Sequence, residues 1–182
     1  MPLTEQEKHE RKRARMLQTA KQYTPGTYMR KVAQIYQRMI RAEAAAKPEG
    51  VVFAITAGKV AEVFRRVGQC VCVTCGKVGP WKGNAIGGGV IESGHFIASR
   101  RASVLFEPHN CHPQCKFCNQ HLGGDQGNYE LYIQHVYGHE EAGRLRRLKN
   151  EVKQFTRDEL VDMKLDFQAR LKAAEEKMKE SQ

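Results

Sequence analysis

The sequence predicts a mixed α+β protein that is mostly helical, with a small zinc-stapled core between N- and C-terminal helices. Two observations predict this fold class. Two C-x-x-C pairs, Cys72/Cys75 and Cys115/Cys118, supply four thiolates, which is enough to close a tetrahedral zinc site. Apolar residues at helical spacing lie on both sides of these pairs, so helices are expected to flank the zinc-binding segment. At 182 residues the chain has room for one small domain with helical additions.

The spacing of the cysteines also indicates what kind of unit the zinc would hold. The two pairs are separated by 39 residues, a longer gap than in the usual zinc finger. We therefore expect a treble-clef-like or hairpin-plus-helix unit. Paired C-x-x-C motifs in a reducing compartment favour a metal over disulfides. Cys70 and Cys111 are expected to be spare thiols, although either could replace a neighbouring ligand, since spacing alone does not exclude it.

Helices are predicted on both sides of this unit. A T-x-x-E capping box opens a polar helix over residues 4–22, and an apolar stripe predicts a second helix from about Thr27 to Ala46. Short stripes after Asp125 predict further helices. A second capping box, Thr156 to Glu159, begins a long C-terminal helix whose stripe must pack on the core or on a second subunit.

Strands are predicted only near the cysteines. Residues 51–55 could form a short strand. Val60, Val63, Phe64 and Val67 have the i, i+3, i+4, i+7 spacing, which predicts a short helix from Gly58. Further along, the apolar pairs around residue 95 predict a strand, with residues 104–106 as its antiparallel partner.

The chain is basic, with a formal net charge of +10, and the excess is uneven. Residues 1–48 hold 11 Lys/Arg against 4 Asp/Glu, and residues 49–125 hold 8 against 5, whereas residues 126–182 hold 11 of each. A polyanionic partner would be drawn to the N-terminal and cysteine-rich parts. No apolar run long enough for a membrane span and no secretory signal are present, so we expect no membrane partner and a cytoplasmic location.

One histidine stands out because two asparagines lie at fixed distances after it. Asn110 lies 15 residues after His95, and Asn119 lies 9 residues after Asn110. This spacing resembles that of the HNH nucleases, with the last histidine replaced by asparagine as in the endonuclease VII type of junction resolvase. The wider pattern, from C-V-T-C-G through G-H-F to N-C-H-P-Q-C-K-F-C-N, resembles the phage lambda NinG (Rap) recombination proteins over roughly residues 60–165.

The resemblance implies a ββα-metal (HNH) core and a role for each matching residue. His95 would be the general base that takes a proton from the attacking water, and Asn110 would tie the catalytic loop to the hairpin. Asn119 would help to hold a catalytic Mg²⁺ or Mn²⁺. Related nucleases often carry a second metal ligand immediately before the base, where this chain has Gly94. Glu92 is the nearest carboxylate, and the alternative ligands are His112, His121 and Asp125.

The resemblance also implies an organisation and an activity. Residues 1–50 would be a basic helical arm, 51–137 the zinc-stapled nuclease core and 138–182 a helical extension. The protein would be a metal-dependent endonuclease of phage recombination that prefers branched DNA such as Holliday junctions and D-loops. It could act as a homodimer joined through the C-terminal helix. The DNA backbone would be bound by the basic N-terminal arm and by Arg65, Arg66, Arg100, Arg101 and Lys116.

Two rival interpretations remain open on the sequence alone. The chain could be a non-catalytic zinc module that binds DNA or a recombination protein, with His95 and Asn110 only bracing the fold. It could instead be a sequence-specific nuclease of the restriction or homing type. The feature against the first rival is the His95–Asn110–Asn119 spacing, which zinc binding does not require.

Overall fold

A computed structural model describes residues 3–83, 89–98 and 101–181 of the chain. The fold is mixed α+β and mostly helical, as predicted. The helices are α1 (Glu5–Lys21), α2 (Pro25–Ala46), α3 (Ala102–Leu105), α4 (Gln126–Tyr137), α5 (His139–Leu148) and α6 (Arg157–Glu180). The strands are β1 (Gly50–Thr56), β2 (Lys59–Arg65), β3 (Gln69–Val71), β4 (Val78–Pro80), β5 (Ile91–His95) and β6 (Cys111–Cys115), and they pair as three antiparallel two-stranded sheets.

The first and last helices begin where the sequence predicts, and α2 begins at Pro25, two residues before the predicted start. Thr4 and Thr156 both form complete capping boxes, with Glu7 and Glu159 as their partners. The side chain of Thr24 caps α2, which satisfies backbone N–H groups that have no partner inside the helix. These local signals fix the starts of all three helices.

Helix α6 packs on α1 and α2, and both α2 and α6 pack on the cysteine-rich unit. Tyr28, Tyr36 and Met39 of α2 are buried against Leu160 and Val161 of α6. Nearer the C-terminus, α6 buries Ala174 and Met178 beside the cysteines. The apolar stripe of α6 is therefore covered by the same chain and is not a free dimer interface. The homodimer itself stays a prediction.

The prediction of a helix from Gly58 is wrong, since residues 59–65 form β2. Val60, Val63 and Phe64 are β-branched or aromatic and suit a strand. The preceding turn holds Ala57 at φ 49° and Gly58 at φ 76°, and two consecutive positive φ angles are typical of the tight turns that join hairpin strands. This turn reverses the chain and pairs β2 with β1. The spacing of these apolar residues is compatible with a helix, but the chain forms a strand here.

The predicted strand partner of β5 is also wrong. Residues 102–105 form the short helix α3, in which Val104 and Leu105 are buried. The strand that pairs with β5 is β6, with Ile91 opposite Cys115 and His95 opposite Cys111. This pairing brings Cys115 into the cysteine cluster. The periodicity of a strand in the sequence does not say which other strand it pairs with.

The cysteine-rich unit has a simple order. The β3–β4 hairpin carries the first C-x-x-C pair, the β5–β6 hairpin comes next, and the helical turn Phe117–His121 carries Cys118. Helices α4 and α5 then pack beside it through Tyr129, Ile133 and Leu145, which are fully buried. None of the described helices combines the length and the hydropathy that crossing a membrane requires.

Candidate metal centre and active site

The four cysteines predicted to bind zinc come together in one cluster. The Sγ atoms of Cys72, Cys75, Cys115 and Cys118 all lie within 4.8 Å of one another, and those of Cys75 and Cys115 are 3.7 Å apart. Zn–S bonds of about 2.3 Å in a tetrahedron separate the sulfur atoms by about 3.8 Å. The donor set and its spacing therefore fit zinc, and this cluster could hold a zinc ion.

Local backbone geometry builds the cluster. Cys72 N–H donates to Lys77 O (2.8 Å) and Gly76 N–H donates to Cys72 O (2.9 Å), which folds the first pair into a tight turn between β3 and β4. Gly76 has φ +73°, a conformation that glycine adopts at little cost. The second pair is positioned by the end of β6 and by the helical turn after it.

The two remaining cysteines are outside the cluster. Cys70 and Cys111 are each 1% exposed, and the Cys70 thiol donates to Arg41 O (3.2 Å). Burial raises the pKa of Cys70 to about 12 and raises that of Cys111 as well. Both are buried thiols outside the group formed by the other four cysteines, which agrees with the expectation that they are spare thiols.

A buried glutamine joins the cysteine cluster to the β5–β6 hairpin. Gln114 of β6 is 0% exposed, and its Nε2 donates to Thr74 Oγ1 (3.0 Å) and to Gly124 O (2.6 Å). Thr74 Oγ1 in turn lies 3.4 Å from Cys72 Sγ. The Gln114 side chain stands over Gly94, so a Cβ added at position 94 would collide with its amide oxygen. The space that a side chain at position 94 would need is thus filled from the neighbouring strand.

Asn110 fixes the loop after β5. It is 0% exposed. Its Oδ1 accepts from Ile97 N–H (2.7 Å), and its Nδ2 donates to Ile97 O (3.0 Å) and Val104 O (2.9 Å). Phe96 N–H donates to the Asn110 carbonyl (2.9 Å). These bonds hold the segment just after His95 against the start of β6.

His95 ends β5 and is half-buried. Its Nε2 lies 3.3 Å from Leu105 O. A carbonyl oxygen can only accept, so Nε2 carries the proton in this contact and Nδ1 keeps its lone pair. Burial lowers the pKa of His95, against a smaller raising effect of the Leu105 carbonyl. At pH 7 the imidazole is therefore neutral and able to accept a proton.

A second histidine, His112, is connected to β5 through hydrogen bonds with a tyrosine. His112 Nδ1 lies 3.0 Å from Tyr129 Oη, which donates to Gly94 O (3.0 Å), and His112 Nε2 lies 2.7 Å from Tyr137 Oη. Since the Tyr129 proton points at Gly94 O, His112 donates through Nδ1 and accepts through Nε2. Burial, and then the nearby His109 and His95, lower the pKa of His112 to about 3. With both ring nitrogens engaged, His112 is not a metal ligand.

Glu92 and Asn119, the two residues predicted to hold the catalytic ion, are in direct contact in the structure. Asn119 Nδ2 donates to Glu92 Oε2 (2.8 Å), and Gln120 Nε2 donates to Glu92 Oε1 (2.8 Å). They line a polar cavity of about 340 Å³ at the edge of β5, together with Gln37, Arg41 and Ser93. His95 lies three residues further along β5 and does not line this cavity.

The other candidate ligands lie elsewhere. His121 is exposed and stacks on Phe117, with ring centroids 5.9 Å apart. Asp125 precedes α4 in a left-handed conformation and accepts from Asn128 Nδ2 (2.9 Å). Neither contacts Glu92 in the described part of the chain.

The predicted DNA-binding residues divide into two groups. Arg65 is 2% exposed, and its guanidinium donates to the carbonyls of Ala45 (3.3 Å) and Pro48 (2.9 Å) at the end of α2. Arg65 is therefore a structural residue and is not available to a phosphate backbone, so this prediction is wrong. Exposed positions are occupied by Arg66, Arg101 and Lys116, and Arg100 lies outside the described residues.

A second group of ligand-type side chains is already satisfied. Glu107, His109 and Glu141 lie together, but Arg144 donates to both carboxylates at 2.7 Å and His109 Nδ1 contacts Glu141 at 2.7 Å. The Arg144 guanidinium lowers the pKa of Glu141 to about 2. This group is an ion-pair network that connects α5 to the loop before β6.

Sequence reasoning missed two residues of the site, Arg41 and Gln114. Arg41 lies on α2, 50 residues before Ile91, whose carbonyl it contacts. Its position four residues after Gln37 places both side chains on one helix face, yet nothing in the sequence says what that face meets. Gln114 lies inside the second cysteine motif. The glycine at position 94 was the available signal, because a residue without a side chain there leaves room for a neighbouring side chain.

Comparison with known proteins places the chain in a family. The curated proteins and the solved structures contain no significant match. A family model described as "Bacteriophage Lambda NinG protein" matches residues 3–177, which include the cysteine cluster, the β5–β6 hairpin and all six helices except the end of α6. The chain belongs to the bacteriophage lambda NinG family.

Proposed function

We propose that this NinG-family protein is a metal-dependent endonuclease of phage recombination that hydrolyses phosphodiesters in branched DNA. The observation that carries the proposal is the meeting of Glu92 and Asn119 beside a polar cavity. These residues are 27 positions apart, and the zinc-binding unit does not require them. They lie on the strand that ends in His95 and on the helical turn that carries Cys118.

In this proposal each residue has one task. His95, neutral at pH 7 and oriented by Leu105 O, accepts the proton of the attacking water at Nδ1. Asn110 keeps the His95 loop in place. The Glu92 carboxylate and the Asn119 amide oxygen are the hard oxygen donors that suit Mg²⁺ or Mn²⁺. The bound ion would stabilise negative charge on the phosphate.

The same proposal extends to the fold and the partners. The order of cysteine turn, hairpin and helical turn supports a treble-clef-like, ββα-metal nuclease core. Exposed Arg66, Arg101 and Lys116 would bind the DNA backbone with little base readout. Paired cuts across a junction need two active sites, so we include a homodimer in the proposal, joined through a surface other than the α6 stripe.

The test is cleavage of a four-way DNA junction with Mg²⁺. Wild type should nick the junction, and His95→Ala should lower the rate by at least about 100-fold while zinc stays bound. His139→Ala, which changes an exposed histidine at the start of α5, is the matched control and should cut normally. A matched linear duplex, cut more slowly than the junction, separates a branch-specific enzyme from a sequence-specific one.

A non-catalytic zinc module is the second candidate, and one observation favours it. The Glu92 carboxylate is already satisfied by the amides of Asn119 and Gln120, so the three residues could serve only to fasten the helical turn to β5. Wild type that binds the junction but never nicks it, or His95→Ala that cuts normally, would favour this candidate.

A further inference from the structure

The cavity beside Glu92 has a second, positively charged wall. Helix α2 contributes Gln37 and Arg41, while β5 and the helical turn contribute Glu92, Ser93, Asn119 and Gln120. All six lining residues are polar, and the cavity has a volume of about 340 Å³. A cavity lined in this way favours a small, polar or charged occupant.

Arg41 is held in place but is not neutralised. Its Nη1 donates to Ile91 O (3.2 Å) and its Nε to Gln37 O (3.4 Å). Within the described ranges it forms no ion pair with a carboxylate, and its Nη2 has no hydrogen-bond partner. Burial lowers its pKa, yet a guanidinium stays charged at neutral pH. A partly buried charge without a counterion is costly unless an anion completes the site.

The arrangement of charges indicates which anion fits. Glu92 and Arg41 both line the cavity and form no ion pair with each other, so the cavity has a carboxylate on one wall and a guanidinium on another. An ion held by Glu92 and Asn119 would leave Arg41 facing the same space. An arginine that keeps free N–H groups in a fixed position is well suited to a phosphate oxygen.

We propose that Arg41 is a phosphate-binding residue, which contacts a backbone phosphate of the DNA in the cavity beside Glu92 and Asn119. This inference rests on the proposed function, because it takes DNA as the ligand. It assigns one residue of α2 to the cavity, whereas the motif around the cysteines includes no residue of this helix. The helix that packs on the zinc-binding unit would thereby also position the scissile strand.

Binding and cleavage are measured separately to test this. The affinity for a four-way DNA junction is measured with Ca²⁺ in place of Mg²⁺, over a range of salt concentrations, for wild type, Arg41→Gln and Arg41→Lys. Arg38→Gln is the matched control, since Arg38 lies on the same helix, is exposed and pairs with Glu175. Zinc content and the melting temperature of each variant are recorded alongside, and Arg41→Lys keeps the charge if Arg41→Gln folds poorly.

Arg41→Gln should weaken junction binding by about tenfold or more and reduce the salt slope by about one. Arg41→Lys should fall in between, because it keeps the charge but loses the planar fork, and Arg38→Gln should change binding less than twofold. Folded Arg41 variants that bind like wild type with an unchanged salt slope would overturn the proposal. Wild type that binds but does not cut refutes the nuclease alone, since the Arg41 result is read from binding.

Discussion

The cysteine cluster and the polar cavity both lie near the end of the β5–β6 hairpin where Ile91 pairs with Cys115, and they are held together differently. In the cluster, four Sγ atoms converge from two segments, so the site offers a metal all of its ligands at once. In the cavity, Glu92 is already bonded to the amides of Asn119 and Gln120, while Arg41 has no counterion among the described residues. We therefore expect the first site to retain a bound metal ion and the second to exchange its occupant.

This difference predicts that the cluster governs folding. Cys115→Ser should abolish stable zinc binding and the cooperative fold, because zinc binding in small structural sites is worth about 10–16 kcal/mol. Zinc content and thermal unfolding followed by circular dichroism measure both effects. Cys70→Ala, which changes a buried thiol outside the cluster, should keep its zinc. Normal zinc content and melting in Cys115→Ser would contradict a structural cluster.

A smaller effect is expected where the buried Gln114 side chain packs on Gly94 of β5. Gly94→Ala should destabilise the protein by about 1–3 kcal/mol, since the new Cβ collides with the buried Gln114 side chain. In a Gln114→Ala background, where the obstacle is absent, the same Gly94→Ala change should cost less than it does in wild type. Urea unfolding measures both variants. Gly127→Ala, in α4 with open space around the added Cβ, should be neutral or stabilising, and an equal loss there would remove the steric explanation.

The smallest predicted effect concerns pH. His112 has a folded-state pKa of about 3 against about 6.5 in an unfolded chain, so only the unfolded state gains a proton in this range. Its contribution to stability is complete above pH 6.5 and declines as the pH falls toward 3. Between pH 7 and 5.5 the free energy of unfolding should fall by about 1 kcal/mol more in wild type than in His112→Gln. Parallel pH profiles for the two proteins would show that His112 does not titrate on unfolding.

The sequence predicted the parts of the molecule that depend on local signals. Capping boxes at Thr4 and Thr156 fixed two helix starts, and C-x-x-C spacing predicted the cysteine cluster. Prediction from the sequence failed where one pattern of apolar residues is compatible with two kinds of secondary structure. Val60, Val63 and Phe64 fit a helix or a strand equally, and the tight turn before them decided for the strand.

The candidate site was predictable only in part for the same reason. Asn119 was assigned from its spacing after His95 and Asn110 and the resemblance that this spacing carries, and Glu92 was assigned as the carboxylate nearest to Gly94. Arg65 was assigned to DNA on its charge, whereas burial and the carbonyls at the end of α2 decide its role. Arg41 lines the cavity only because α2 packs on β5, and no local sequence pattern predicts that packing.

We propose, then, that the β5–β6 hairpin contributes both to a structural metal site and, separately, to the groups for phosphodiester cleavage. Glu92→Gln separates these two roles, with Glu62→Gln on the exposed face of β2 as the control. Zinc content, melting temperature and Mg²⁺-dependent cutting of a four-way junction are measured on the same preparations. We predict unchanged zinc and melting for Glu92→Gln, with cutting slowed by about 100-fold or more. Cutting at the wild-type rate by Glu92→Gln, or loss of its zinc, would contradict this division of roles.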